Sequence, residues 1–492
     1  LPVAVAGEGH RPLRALGGRA MPLHTPAADR LLAGAAQVDI TPRWPAHLSG
    51  DVGAYRPARL VGDPLFARAL VLETDGRRVC IVGLDVTIVT GDYTDWIRRE
   101  AASRYGLKPE AVMVHAIQTH SAPSLGYFML DPDFPDLPEE FEWVRGTEER
   151  YSRFAAERAV EAIGQAVGRL RPVSLGVASG IEGRWAHNRR AVMRDGTVGM
   201  PGPSWQGGAA GPTWIRYIEG PIDPELGVLC FRDDRLGMAG MLLSYTCHPV
   251  HVFPRLIVSA DWPGAWAAAL RRHHGDDCVP VVLNGCCGNI NPWPPFDPAY
   301  VEDHVAMGRA LADRAQALID EMAFGEAAEL DFRTRTIRLP IRALTDDERV
   351  FCDRVLGASP VPQWTDATRT RIDPDWMTAA SLRSVDLLRQ RDGALAYEIQ
   401  VLRVGPVALV GLPGEPFVEG QLRLKLASPA YPTYVVHCTT QYVGYLPTRE
   451  GLARGGHEAV TRYWAKLEPD ALDLVVDAAI EVLAELFGAT GT

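Results

Sequence analysis

Four short polar stretches, each directly after an apolar run, carry the residues best suited to chemistry: Gln118-Thr119-His120-Ser121, Tyr245-Thr246-Cys247-His248-Pro249, Asn284-Gly285-Cys286-Cys287-Gly288-Asn289-Ile290-Asn291-Pro292 and Gly414-Glu415-Pro416-Phe417. Each reads as a buried strand ending in a polar loop, where rigid backbone fixes side chains that water and substrate can still reach. His248 and Glu415, with Tyr445 after a further run, each stand beside Pro or Gly. Imidazole nitrogen and carboxylate oxygen are ordinary zinc ligands. A phenolate is rarer, because a free tyrosine with a pKa of about 10 has to be acidified by the metal. The pattern asks whether these strand ends converge on one ion; taken singly, a His or Glu after a strand is more often a structural residue.

The elements that would position these groups read as follows. Ala35 to Pro42 alternates as a short edge strand stopped by a proline that cannot donate to a ladder. Phe66 to Glu73 and Val79 to Val86 flank Asp75-Gly76, a hairpin signal, and leave Asp85 as a carboxylate at the core edge or behind the site. Asp92 to Tyr105 is a helix, and Ala111 to Ile117 a buried strand that delivers Gln118 and His120. Leu130 to Glu149 is acidic, Pro-rich and without period, a loop long enough for a lid. Arg153 to Arg169 returns to helical spacing. A strand over 174–189 leads out through Asn188-Arg189, and Met193 to Trp214 is a second long Gly/Pro-rich loop.

Gly227 to Arg232 and Met238 to Thr246 are strands, the latter ending at His248. Asp261 is placed to cap a helix over Trp262 to His273. Val279 to Leu283 is a strand covered on both faces, and Asp303 to Met322 an amphipathic helix. Glu329 to Leu339 reads as a strand, Thr345 to Leu356 as a helix, and Gly357 to Met377 as loop. Tyr397 to Val404 and Val407 to Leu412 form a pair around Gly405-Pro406, the second delivering Glu415. A helix over Phe417 to Leu426, a strand over Tyr434 to Thr439 and a C-terminal helix over Asp470 to Phe487 complete the chain. The expected fold is a single large α/β domain with mixed β-sheets flanked by helices.

The chain's 492 residues, 47% hydrophobic and 23% charged, are ample for a large core. A net charge of −11 without a basic run argues against nucleic acid as a partner. No apolar stretch is long enough to insert in a membrane. Eight cysteines are too sparse for a disulfide scaffold. They suit a reducing, cytoplasmic setting, with Cys286-Cys287 either a metal pair or, by the plainer reading, small packing residues. Leu1 to Ala20 lacks the apolar h-region of a signal peptide. Residues 1–28 are expected to be a disordered or non-native leader, with Met21 a natural start, and residues 29–492 the catalytic domain. The partner implied is a small-molecule substrate, and homo-oligomer formation is left open.

From about Ala33 onward the sequence resembles the neutral/alkaline ceramidase family, in its N-terminal catalytic domain and the shorter bacterial relatives of that domain. The landmarks are Ala36-Gln37-Val38-Asp39-Ile40-Thr41-Pro42, Gln118-Thr119-His120-Ser121-Ala122-Pro123, Asn188-Arg189, Cys247-His248-Pro249, Ser259-Ala260-Asp261-Trp262-Pro263-Gly264, Gly288-Asn289-Ile290-Asn291-Pro292, Pro413-Gly414-Glu415-Pro416-Phe417 and Gly444-Tyr445-Leu446-Pro447-Thr448-Arg449-Glu450. The resemblance implies one zinc ion, amide hydrolysis and metal ligands at His248, Glu415, Tyr445 and Gln118, where Gln118 stands in place of the family's first histidine. It implies that His120 contacts the reaction centre and that Arg189 binds substrate. Asn291 replaces the family's active-site serine and His457 a substrate-contacting tyrosine. The immunoglobulin-like C-terminal domain of full ceramidases is expected to be absent.

These departures count against ceramide as substrate. The resulting expectation is a zinc-dependent hydrolase of a carbon–nitrogen amide bond in a small N-acyl or polar metabolite. In it, His120 would be the general base and then acid, Arg189 an anion fork and Asn291 an oxyanion donor. A transferase, lyase or cyclase in the same pocket, or a metal-free binding protein, are the competing readings.

Overall fold

The computed structural model describes residues 30–202, 212–235, 237–297, 299–325 and 329–488. The leader expected at residues 1–28, and part of the Met193 to Trp214 loop, lie outside them.

A mixed sheet runs in the order Pro280–Asn284, Met238–Tyr245, Glu225–Asp233, Arg171–Ile181, Leu32–Asp39, Phe66–Thr74, Arg77–Leu84, Val112–Ala116. It folds over at its middle. Leu32–Asp39 pairs along its whole length with Phe66–Thr74, but only Leu32 and Ala33 reach Pro172 and Arg171 on the other side. The two halves therefore close face to face around Leu70, Leu72, Ile81, Leu229, Leu242 and Leu283. Gly83 permits the approach, since a Cβ there would lie 2.9 Å from Val281. The strand is interior only at Leu32 and Ala33, and the stretch from Ala35 expected as an edge strand pairs on one side alone. A second sheet, Leu330–Pro340, Ala394–Val404, Val407–Gly411 and Thr433–Val436, adds Leu402, Leu409 and Val436 to the same core.

Three of the parallel strand pairs lie in the two larger sheets: Arg77–Leu84 with Val112–Ala116, Met238–Tyr245 with Pro280–Asn284, and Val407–Gly411 with Thr433–Val436. Parallel neighbours need a crossover, and the helices Gly91–Tyr105, Asp261–His274 and Val418–Ala427 lie within these crossovers. In each pair both strands point the same way. Their C-terminal ends deliver Gln118 and His120, His248 and the Asn284–Pro292 loop, and Glu415, so the crossovers bring the polar loops to one side. The Asp75-Gly76 turn takes φ of 49° and 69°, as the hairpin requires.

Several expectations change. The helix Pro374–Asp392 occupies the end of the stretch read as loop and residues given no element. Its start is marked by Asp373, whose side chain accepts from the Asp375 N–H, followed by Pro374 at the first helical position. The acidic segment read as a lid is instead tied down: Phe134, Phe141 and Trp143 are core residues, and Arg145 donates to the carbonyls of Phe134 and Pro135. Asp85, fully buried, pairs with Arg68 and accepts from the Phe66 N–H, which makes it structural. Asp261, at a φ of 53°, is the first residue of its helix, with Ala260 rather than Asp261 at the N-cap; its carboxylate accepts from the Trp262 and Val252 N–H groups and so binds the loop after His248. All eight cysteines are buried and free, the packing role for Cys286 and Cys287 included.

Candidate active site

The Asn284–Pro292 loop is the hub onto which the other strand ends dock. Its Cys287 and Ile290 carbonyls lie 2.6 and 3.1 Å from His248 Nδ1, and the His248 N–H donates to Ile290 O. Ile290–Asn291 pairs antiparallel with His187–Asn188, and the Arg189 N–H donates to Asn289 O. On the opposite side the Gly288 N–H donates to Pro416 O, and the Asn289 side chain accepts from the Val418 N–H. Glu415–Pro416 in turn pairs parallel with Tyr445–Leu446. Gly288 makes the close docking possible, because a Cβ would stand 2.4 Å from Glu415 O and 2.9 Å from Pro416 O. Both are backbone atoms that cannot swing away. Gly288→Ala is therefore expected to lower unfolding stability by about 1–3 kcal/mol, measured by urea denaturation.

Carbonyl oxygens only accept, so His248 Nδ1 carries the proton and Nε2 presents a lone pair. That lone pair faces Glu415 Oε2 at 3.2 Å. Both atoms are buried, and neither has a hydrogen-bond partner among the described residues. Burial and the Arg189 guanidinium push the His248 pKa down. Burial alone would raise that of Glu415, while the Arg189 guanidinium and the Tyr442 hydroxyl favour its charged form. A neutral imidazole and a carboxylate thus aim acceptors at each other, an arrangement that costs several kcal/mol in a dry interior unless a cation sits between them.

Around this pair, Tyr442 donates to Glu415 Oε1 at 2.8 Å. Arg189 Nη2 donates to the Tyr445 hydroxyl at 3.1 Å, its Nε to Glu458 at 2.8 Å and its Nη1 to Asn291 Oδ1 at 3.4 Å. His120 packs its ring edge on His248, with centroids 5.6 Å apart, and its Nδ1 lies 3.1 Å from Gly50 O. His457 is exposed, stacks on Trp464 and meets Tyr445 edge-on at 5.6 Å.

No family model matches the chain, and neither does any curated protein at a significant level. Solved structures do. Neutral ceramidase from Pseudomonas aeruginosa superimposes with a TM-score of 0.68 at 20% identity, over 93% of this chain and 75% of that one. A ceramidase complexed with C2 gives 0.68 at 19%, with the same coverage. The chain has the neutral ceramidase fold.

Within that ceramidase fold, His248, Glu415 and Tyr445 come together with Arg189, His120, Asn291 and His457 around them. Gln118 does not join the His248–Glu415 pair through any hydrogen bond. Buried and at a φ of 69°, it takes the Cys287 thiol on its Oε1 at 3.6 Å. Among the described residues no group of three or more His, Cys, Asp or Glu could hold a metal. The orphaned His248 Nε2 and Glu415 Oε2 fit a zinc ion as two of its ligands. Arg189 departs from the free anion fork expected of it, since Glu458, Asn291 and Tyr445 already occupy its donors. Asn291 correspondingly spends its side-chain oxygen on Arg189.

Sequence reading missed Tyr442 and Glu458, although Tyr442 lies in the same run as Tyr445 and Glu458 adjoins His457. It also missed Lys466, which is 2% exposed and donates to the carbonyls of Val443 at 2.9 Å and Tyr463 at 2.7 Å, bracing the strand that carries Tyr445. Burial pulls its ammonium down to about 7, against roughly 10.4 in an unfolded chain. Below pH 7 both states hold the proton and the fold bears the full cost of a buried charge. Between about pH 7 and 10 only the unfolded chain binds it, so stability rises with pH. Lys466→Met is expected to lose that rise. Urea denaturation at both ends of the window should differ between the proteins by about 2–4 kcal/mol.

Proposed function

We propose that the chain is a zinc-dependent hydrolase acting on a carbon–nitrogen amide bond in a small N-acyl or otherwise polar metabolite. The observation that carries the reading is the pair of buried, unpartnered acceptors, His248 Nε2 and Glu415 Oε2, 3.2 Å apart in a chain with the ceramidase fold. His248, Glu415 and Tyr445 would hold the ion. Zinc at such a site supplies Lewis acidity, lowering the pKa of a water to about 7 and polarising the scissile carbonyl.

The chain's own groups do the rest. With Nδ1–H on Gly50 O, His120 keeps its Nε2 lone pair toward the site. Burial, followed by the proximity of His248, lowers its pKa to about 3, which keeps it neutral but makes it a weak base, and the negative charge of Glu415 is what opposes that shift. Arg189, held by Glu458, directs Nη2 at the Tyr445 oxygen. Burial and Glu415 hold the Tyr445 pKa well above its ordinary value, so the guanidinium offsets part of the cost of charge on that oxygen. Exposed His457 on its Trp464 platform forms the wall nearest solvent and is placed to meet the acyl or amine portion of a substrate.

The zinc-loaded protein, incubated with a panel of N-acyl amino acids in ¹⁸O-labelled water, should place one label in the released carboxylate. Turnover that leaves the product carboxylate unlabelled would instead assign a transferase, lyase or cyclase to the same pocket. Tight binding without turnover would assign a binding protein.

A further inference from the structure

Away from the His248 site lies a cavity of about 710 Å³, within the size range of pockets for small organic ligands. Its floor is apolar, with Phe66, Val252, Ile257 and Ala268, and its rim is cationic, with Arg68, Arg255, Arg271, Arg272 and Arg309. In a chain of net charge −11 that concentration of guanidinium groups is unusual. Four partners are accounted for: Arg68 pairs with Asp85, Arg255 with Glu302, Arg271 with Asp276, and His304 with Asp63. Asp63 also accepts from the Ser259 hydroxyl and the Ala260 N–H, so its acceptors are in use.

Two guanidiniums remain over. Arg272, in the last turn of Asp261–His274, and Arg309, in the packed helix His304–Asp320, line the same cavity with no ion pair or hydrogen bond among the described residues. Two more donors on this wall are buried and unpartnered, Arg68 Nε and Arg271 Nη1, and the Arg68 side chain is only 7% exposed. Two spare positive charges above an apolar floor match a compact dianion carried on a small organic body. We infer that this cavity is a binding site for a phosphoryl dianion, either free phosphate or the phosphate of a small organic monoester, separate from the His248 site.

Isothermal titration of the full chain with inorganic phosphate and with glycerol 3-phosphate tests it. Both should bind the wild type, and the Arg272→Ser/Arg309→Ser double variant should weaken each by about tenfold or more. Both residues are exposed, so the fold should survive, which circular dichroism checks. Arg354→Ser, an exposed arginine outside the cavity, should bind as wild type does. Tighter binding of the ester assigns the site to an organic phosphate, and tighter binding of phosphate to the free anion. No binding of either by the wild type, or equal affinities in the wild type and the double variant, would overturn the inference.

Discussion

Glu415→Gln should empty the site of zinc without unfolding the protein. The amide has the shape of the carboxylate it replaces, and its N–H can donate to His248 Nε2, so it satisfies the lone pair that otherwise faces Glu415 Oε2 with no cation required. The same change removes the negative charge that a divalent ion needs and leaves His248 as the sole strong ligand. Zinc content, read by plasma emission on protein purified in parallel, should fall from near one ion per chain to near zero. Amide turnover should fall by more than the roughly 10–100-fold that losing an outer-sphere partner costs. Equal zinc in the two proteins, or almost none in either, would sink the metal assignment. The unfolding midpoint of the two metal-free proteins separates this from general damage, since the glutamine form should be at least as stable as the wild type once stripped of metal.

The strand ends and their chemistry were legible because they depend on local pattern. Val279 to Leu283 has the apolar run typical of a strand covered on both faces, and Asp75-Gly76 is a strong hairpin signal; both are found. The folding-over of the large sheet was hidden, because it rests on a two-residue pairing at Leu32 and Ala33 and on the missing Cβ of Gly83, which meets a strand almost two hundred residues away. The same limit applied to the site. His248, Glu415 and Tyr445 could be named from their strand ends and from the family resemblance. The partners of Arg189 could not, because a guanidinium reads as a free fork until the fold supplies Glu458. Gln118 was named as a ligand by motif position, while its left-handed backbone and contact with Cys287 are properties of three dimensions. The acidic 130–149 stretch read as a lid because its apolar residues have no period. Phe134, Phe141 and Trp143 nonetheless anchor it one by one.

Glu458 sets the second large expectation. Its two oxygens take Arg189 Nε at 2.8 Å and Arg190 Nη1 at 2.7 Å, and all three side chains are 5% exposed or less. Burial would raise its pKa, but Arg189, His457 and Arg190 together bring it down to about 2. Arg190 retains Glu219 and the carbonyls of Gly451 and Gly455, whereas Glu458 is the only carboxylate hydrogen-bonded to Arg189 among the described residues. Glu458→Gln therefore leaves a buried guanidinium without its counter-ion and should cost about 3–5 kcal/mol of unfolding free energy. The acid limb should change as well. The wild type's contribution from this group is full above the unfolded pKa near 4.3 and is lost as pH falls toward 2, and the variant should lack that loss. A change within about 0.5 kcal/mol, the range of an ordinary surface substitution, would reject the buried-pair account. Removing both charges in Glu458→Gln/Arg189→Met should restore most of the stability, because a buried ion pair and an apolar substitute of similar volume are close in free energy. Activity should not return with it, since the Tyr445 hydroxyl would still have lost the donor at 3.1 Å. Stability and turnover would then separate in one double variant, placing Glu458 as the residue that holds Arg189 in place and Arg189 as the one that acts on the site.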